Sequence, residues 1–158
     1  LEKGHQYIIR VAMIATIYLV LNILFSSISY GPIQVRIAES LTILPFLNSS
    51  AILGLFLGCF LANILGPVGM VDIVGGSLCT LIAAYLTSKM KSPILAPLPP
   101  VLINAFGVSI YLHLIFDLSY WITVLYIGIG ETIACYILGY PLLLFLIKNQ
   151  KRLRLSGE

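Results

Sequence analysis

Residues 30–46, YGPIQVRIAESLTILPF, decide the fold class, because Arg36 and Glu39 stand there between apolar runs of membrane grade. A charge held at bilayer depth costs roughly 2.5–3.5 kcal/mol on insertion scales, so the folded protein must compensate each of them. On a helix the two lie three apart on one face, close enough to pair. Two outcomes follow. Arg36 and Glu39 neutralise each other, or they join other buried polar groups around a wet or ligand-filled cavity.

Composition agrees with a membrane setting. The chain has 158 residues, 59% hydrophobic and 9% charged, with a mean hydropathy of +1.04, whereas roughly a quarter of residues are charged in soluble domains. This predicts an all-α integral membrane protein, one compact bundle of about six transmembrane helices. Six acids and nine bases cannot cover a soluble surface, and a net charge of +3 with the bases grouped beside the spans leaves no stripe for nucleic acid. Cys59, Cys79 and Cys135 lie in apolar runs without CxxC or Cys/His spacing, so neither a disulfide framework nor a metal site is indicated, and no cofactor is expected.

Outward from the opening stretch, the pattern predicts helices over about 7–25, 35–46, 50–65, 72–88, 99–116 and 121–147. The first reads as a retained span, too long for a signal-peptide core. The second, at ~18 Å, spans incompletely. Gly54, Gly58 and Ala62 form a GxxxG-type face, and Gly75, Cys79 and Ala83 form another, each suited to a close neighbour. Pro99 or Pro100 opens the fifth helix. The sixth would be ~40 Å long, which predicts a bend near Gly139-Tyr140-Pro141 or a protrusion from the bilayer. Lys3 and Arg10, Lys89 and Lys91, and Lys148, Lys151, Arg152 and Arg154 fall on one side of a six-span topology. The positive-inside rule makes that side cytoplasmic and places both termini there.

In this topology Arg36, Glu39, Asn63, Asp72 and His113 lie at outer helix ends, while Glu131 is ~15 Å down and Asn104 at similar depth. Intramembrane ionisable residues usually face the bundle interior and mark a substrate or ion route, so the cluster suggests a pocket opened from outside and roofed by residues 26–34. Plainer roles stand beside this one. Asp72 in a first helical turn suits a cap, His113 and Trp121 suit the interface, and Arg36 with Glu39 suits a local ion pair. None of these accounts for Glu131, which has no base in its own segment.

At YGPIQVRIAESLTILPFL, and later at LAPLPPVLINAFGV and IGIGETIACYILGYPLLL, the chain resembles the QueT family of substrate-binding S components of energy-coupling factor (ECF) transporters. The likeness covers nearly the whole chain, and its specific part is the Gly-Pro turn followed by Arg and Glu inside an apolar run. It implies a six-helix capture subunit that takes a queuosine precursor, a 7-deazaguanine, from outside the cell and hydrolyses nothing itself. It also implies as partners a transmembrane coupling subunit and two cytoplasmic ATPases. The loaded subunit would dock, topple in the membrane and release its substrate inside. Small residues on the first helix serve docking in this class, usually two alanines four apart. Ala12 and Thr16 are the matching positions, with Thr16 a departure, and Val11 with Ala15 is the other register.

The residues suit such a ligand on chemical grounds. A deazaguanine edge offers two adjacent N–H donors to a carboxylate, a carbonyl to Asn, Gln or Arg, and flat faces to aromatic rings. Glu39, Asp72 and Glu131 are the candidate acceptors, Arg36, Gln34, Asn63 and Asn104 the candidate polar partners, and Tyr30 and Trp121 candidate stackers. A cationic aminomethyl group would take a second carboxylate; which acid does which job stays open. The competing function is a self-sufficient carrier or cation channel relaying through Glu131 and Asp72. Enzymatic activity is not expected: the chain has no GxxxxGK[ST] nucleotide loop and no nucleophile–base or metal-ligand spacing.

Overall fold

The computed structural model describes residues 2–29 and 35–149. Tyr30, Gln34, the Gly31-Pro32 turn and the basic residues Lys151, Arg152 and Arg154 lie outside the described residues. Within them the chain forms α1 (Glu2–Leu24), α2 (Ile37–Phe46), α3 (Ser50–Ile64), α4 (Asp72–Ser88), α5 (Leu98–Phe116) and α6 (Tyr120–Lys148). No strand occurs among the described residues. The segments Gly4–Leu24, Pro93–Phe116 and Tyr120–Lys148 are each long and apolar enough to cross a membrane. Large apolar side chains such as Ile8, Leu24, Leu114 and Trp121 point outward, a surface that water would not tolerate over this extent and that lipid covers.

Glycines set how closely the helices approach. A Cβ at Gly58 would stand 2.8 Å from Tyr18 Cβ and 2.9 Å from the Ala15 carbonyl oxygen, and one at Gly54 would stand 3.0 Å from the Val11 carbonyl oxygen. The expected GxxxG face of α3 therefore holds the backbone of α1 directly. That contact fixes the rotation of α1. Val11, Ala15, Tyr18 and Asn22 turn inward, while Ala12 and Thr16 remain exposed. The second small face works the same way: Gly75 lies under the Tyr111 ring and Cys79 against Gly107, joining α4 to α5.

The short second helix departs from expectation in kind. It begins at Ile37 and is a 3₁₀-helix with Pro45 inside it, where an α-helix over 35–46 is the sequence expectation. Pro45 has no N–H to donate, and the 3₁₀ turn stacks residues i and i+3 directly over one another. Glu39 and Thr42 consequently stack in one row, with Arg36 in extended conformation just before it. Seven of its ten residues are buried, so α2 is the innermost element, enclosed by α1, α3, α4 and α6.

Near the Gly139-Tyr140-Pro141 stretch, α6 contains a π-helical segment, Ile133–Gly139, just ahead of Pro141. A widened turn absorbs the hydrogen bond that proline cannot make. Gly139 there comes so close to α2 that a Cβ would sit 2.9 Å from the Ser40 carbonyl oxygen. A second π segment, Asp72–Gly76, opens α4. Pro99 and Pro100 occupy the first turn of α5, where a missing N–H costs nothing. Asp117 ends that helix in the left-handed conformation, φ 54°, which Asp tolerates better than most residues.

Candidate functional site

All six helices send side chains into one polar seam around α2. Arg36 Nη2 donates to Asp72 Oδ2 of α4 at 2.9 Å, and Tyr111 of α5 donates to Asp72 Oδ1 at 2.5 Å. Asn63 of α3 donates from Nδ2 to the Asp72 backbone carbonyl at 2.7 Å. Gly76 makes this junction feasible, since a Cβ there would lie 2.6 Å from Asp72 Oδ1 and 2.9 Å from Asn63 Nδ2.

Deeper along the row, the Tyr18 hydroxyl of α1 donates to Glu39 Oε1. Asn104 Nδ2 of α5 donates to Glu131 Oε1 of α6 at 3.1 Å, and Cys135, one turn on, contacts Glu131 Oε2, the Thr42 hydroxyl and the Glu39 carbonyl. The four charged groups are enclosed: Arg36 is 7% exposed, Glu39 1%, Asp72 1% and Glu131 4%. Glu39 and Glu131 lie within electrostatic range of each other and of Arg36.

These partners settle the plain alternatives one by one. The local pair read between Arg36 and Glu39 is made at long range: Arg36 reaches Asp72, thirty-six residues on, and Glu39 takes a tyrosine hydroxyl. Asp72 spends both carboxylate oxygens on Arg36 and Tyr111, so it neutralises a cation instead of capping its helix. A buried pair of this kind is costly to break and modest in net stabilisation. Glu39 and Glu131 differ from it. Among the described residues neither forms an ion pair with a base, and Glu39 Oε2, Asn104 Oδ1 and Asn63 Oδ1 are buried with no hydrogen-bond partner. His113 stands apart at an exposed helix end, its Nδ1 2.6 Å from the Leu118 carbonyl oxygen and its ring near Tyr120. Trp121, 73% exposed, packs edge-on against Tyr120 and does not reach the seam.

On α1 the two docking registers separate. Ala12 and Thr16 lie on the exposed side, with the Thr16 hydroxyl turned back to the Ala12 carbonyl. Ala15, included as a docking candidate, and Val11 are instead buried against α3. The reason is steric: the glycines of α3 let the α1 backbone come so close at Val11 and Ala15 that these positions are sealed against α3.

Several members of the seam escape sequence reasoning. Tyr18, Tyr111, Thr42 and Cys135 sit inside apolar runs and read as packing residues. Asn22 is the exception, since a lone amide inside the last turn of an apolar span is itself a signal. No group of three or more His, Cys, Asp or Glu side chains is placed to hold a metal among the described residues.

The structure is that of an all-helical membrane bundle that, among the described residues, encloses more carboxylates than bases, and buried ionisable groups in such bundles usually mark substrate or ion routes. The family model described as QueT transporter matches residues 8–148, and the chain belongs to that family. The queuosine precursor transporter QueT of Lactococcus lactis subsp. cremoris (strain MG1363) is 36% identical over 85 residues, 52% of this chain and 50% of that protein. The chain thus spans about half the length of the curated relative it matches. No solved structure matches it.

Proposed function

We propose that this chain is the substrate-capture subunit, the S component, of an ECF-type importer, and that it binds a queuosine precursor, a 7-deazaguanine base, arriving from outside the cell. Family membership and the printed name of the Lactococcus relative support the substrate class. The observation that carries the reading is the pair Glu39 and Glu131. They are two buried carboxylates from different helices, unpaired with any base among the described residues, with the unsatisfied Asn104 carbonyl oxygen beside them. A carboxylate accepts two parallel N–H bonds from an aminopyrimidinone edge. The arrangement suits the aminomethyl form: an ammonium would form charge-assisted bonds to carboxyl groups of the seam, which a cyano group cannot.

Lys3, Arg10, Lys89, Lys91, Lys148, Lys151, Arg152 and Arg154 lie on the cytoplasmic side by the positive-inside rule, with both termini, and Arg36 is the one base on the other side. The seam then occupies the outer half of a multi-pass protein of the bacterial cell membrane. Arg36, Asp72 and Asn63 shape the site. Glu39, Asn104 and Glu131 contact the ligand, with Tyr30 and Gln34 as further contacts. Ala12 and Thr16 on the outward side of α1 meet the coupling subunit, which carries the two ATPases, and toppling after docking releases the base inside.

Uptake of radiolabelled 7-aminomethyl-7-deazaguanine tests this in cells lacking their own transporter. The chain expressed with a coupling module should support uptake, and a module with inactive ATPases should not. Substrate or cation flux from the purified chain alone in liposomes would replace the proposal with a self-sufficient carrier or channel.

A further inference from the structure

Asn22 lies one helical turn beyond Tyr18 on the inward face of α1 and is 2% exposed. Among the described residues neither its Nδ2 nor its Oδ1 has a hydrogen-bond partner. Leaving both ends of a buried amide unpaired is costly, and a leucine of similar size would fill the position without that cost. The side chain is not simply walled in. With Ile23, Ser26, Ala62 and Leu65 it lines a cavity of about 260 Å³. A single water takes up ~30 Å³, so the cavity has room for a flat heterocycle. Tyr18, which holds Glu39, is four residues away, a rise of ~6 Å and comparable with the length of a bicyclic base.

We propose that Asn22 is a further substrate-contacting residue, reading an edge of the captured base on which an N–H donor and a ring-nitrogen acceptor stand side by side. The inference rests on the substrate class proposed above. An amide carbonyl accepts and its NH₂ donates, so Asn22 matches a donor–acceptor edge that an ionised carboxylate, which only accepts, cannot read. In a free 7-deazaguanine this edge is the pyrrole N9–H beside the pyrimidine N3. In a nucleoside the sugar replaces the N9 hydrogen, which removes the donor and adds bulk against Ala62 and Leu65. Asn22 therefore selects the free base over its nucleoside, a discrimination that Glu39 and Glu131 do not supply.

The experiment titrates purified full-length protein with 7-aminomethyl-7-deazaguanine and with its N9-methyl analogue, for wild type and Asn22→Leu, alongside thermal melting without ligand. Wild type should bind the free base at least tenfold more tightly than the analogue. Asn22→Leu should melt at the same or a higher temperature, lose at least tenfold in free-base affinity and lose most of its preference over the analogue. Should the leucine variant fail to fold, Asn22→Ala is read by the same affinity ratio. Wild-type affinity and selectivity in the variants would overturn the inference and assign the amide to ordered water, leaving the capture proposal standing. Wild-type protein that binds neither compound would sink the capture proposal and this inference with it.

Discussion

Asp72→Asn removes one charge from the enclosed pair and replaces the oxygen that accepts from Arg36 by an NH₂, with no change in side-chain size. The new amide keeps an oxygen for the Tyr111 hydroxyl, which now donates to Oδ1 at 2.5 Å, and the fit against Gly76 is unchanged in volume. What is lost is the anion 2.9 Å from Arg36 Nη2, with both residues under a tenth exposed. Removing one member of a buried pair costs about 3–5 kcal/mol, and that is the destabilisation expected for Asp72→Asn and, separately, for Arg36→Met. Because each single variant leaves the charge of the buried pair unbalanced, removing both should recover most of the loss: the double variant should be at least ~2 kcal/mol more stable than the two single costs added together. Equilibrium unfolding in mixed micelles, followed by tryptophan-independent helical signal, measures all four corners of the cycle. An Asp72→Asn protein within ~0.5 kcal/mol of wild type, the range of surface substitutions, would refute the reasoning by showing that the pair is not desolvated.

Gly58→Val places a Cβ within 3 Å of Tyr18 and Ala15, so α1 must move off α3. Overpacking of this kind costs about 1–3 kcal/mol, and because Tyr18 moves away from Glu39 the loss should include weakened ligand binding in a titration. Ala12→Trp should fold and bind ligand like wild type yet abolish uptake driven by the coupling module, since Ala12 faces outward. Ala15→Trp should fail to accumulate as folded protein, because its side chain meets the glycines of α3; equal uptake by both variants would mean the docking face lies elsewhere.

The periodicity of apolar residues was enough to place α1, α3, α4, α5 and α6, and the small-residue spacing correctly marked the faces where Gly54, Gly58, Gly75 and Cys79 let helices touch. The geometry of α2 was not legible. Its pattern fits an α-helix equally well, and only enclosure by four other helices explains a 3₁₀ turn that stacks Glu39 over Thr42 just after Arg36. The partner of Arg36 was hidden for a related reason. Local spacing offers Glu39, whereas Asp72 becomes a neighbour only when α4 packs beside α2. Tyr18 and Tyr111 carry no mark in the sequence that separates them from lipid-facing tyrosines, since their roles arise from the hydroxyl's end point. Glu131 was legible because no base shares its segment, and its neighbour Asn104 stands at the same depth on α5.

The central claim is that Glu39 and Glu131 are held without basic partners because a captured base supplies theirs. Calorimetric titration of 7-aminomethyl-7-deazaguanine into the purified protein tests it most directly, with wild type and Glu131→Gln compared. The account predicts saturable one-to-one binding by wild type. It predicts a loss of at least tenfold in the variant, about 1.4 kcal/mol or more, with the fold retained because the Asn104 amide still has an oxygen to donate to. Identical affinities in the two proteins would contradict it.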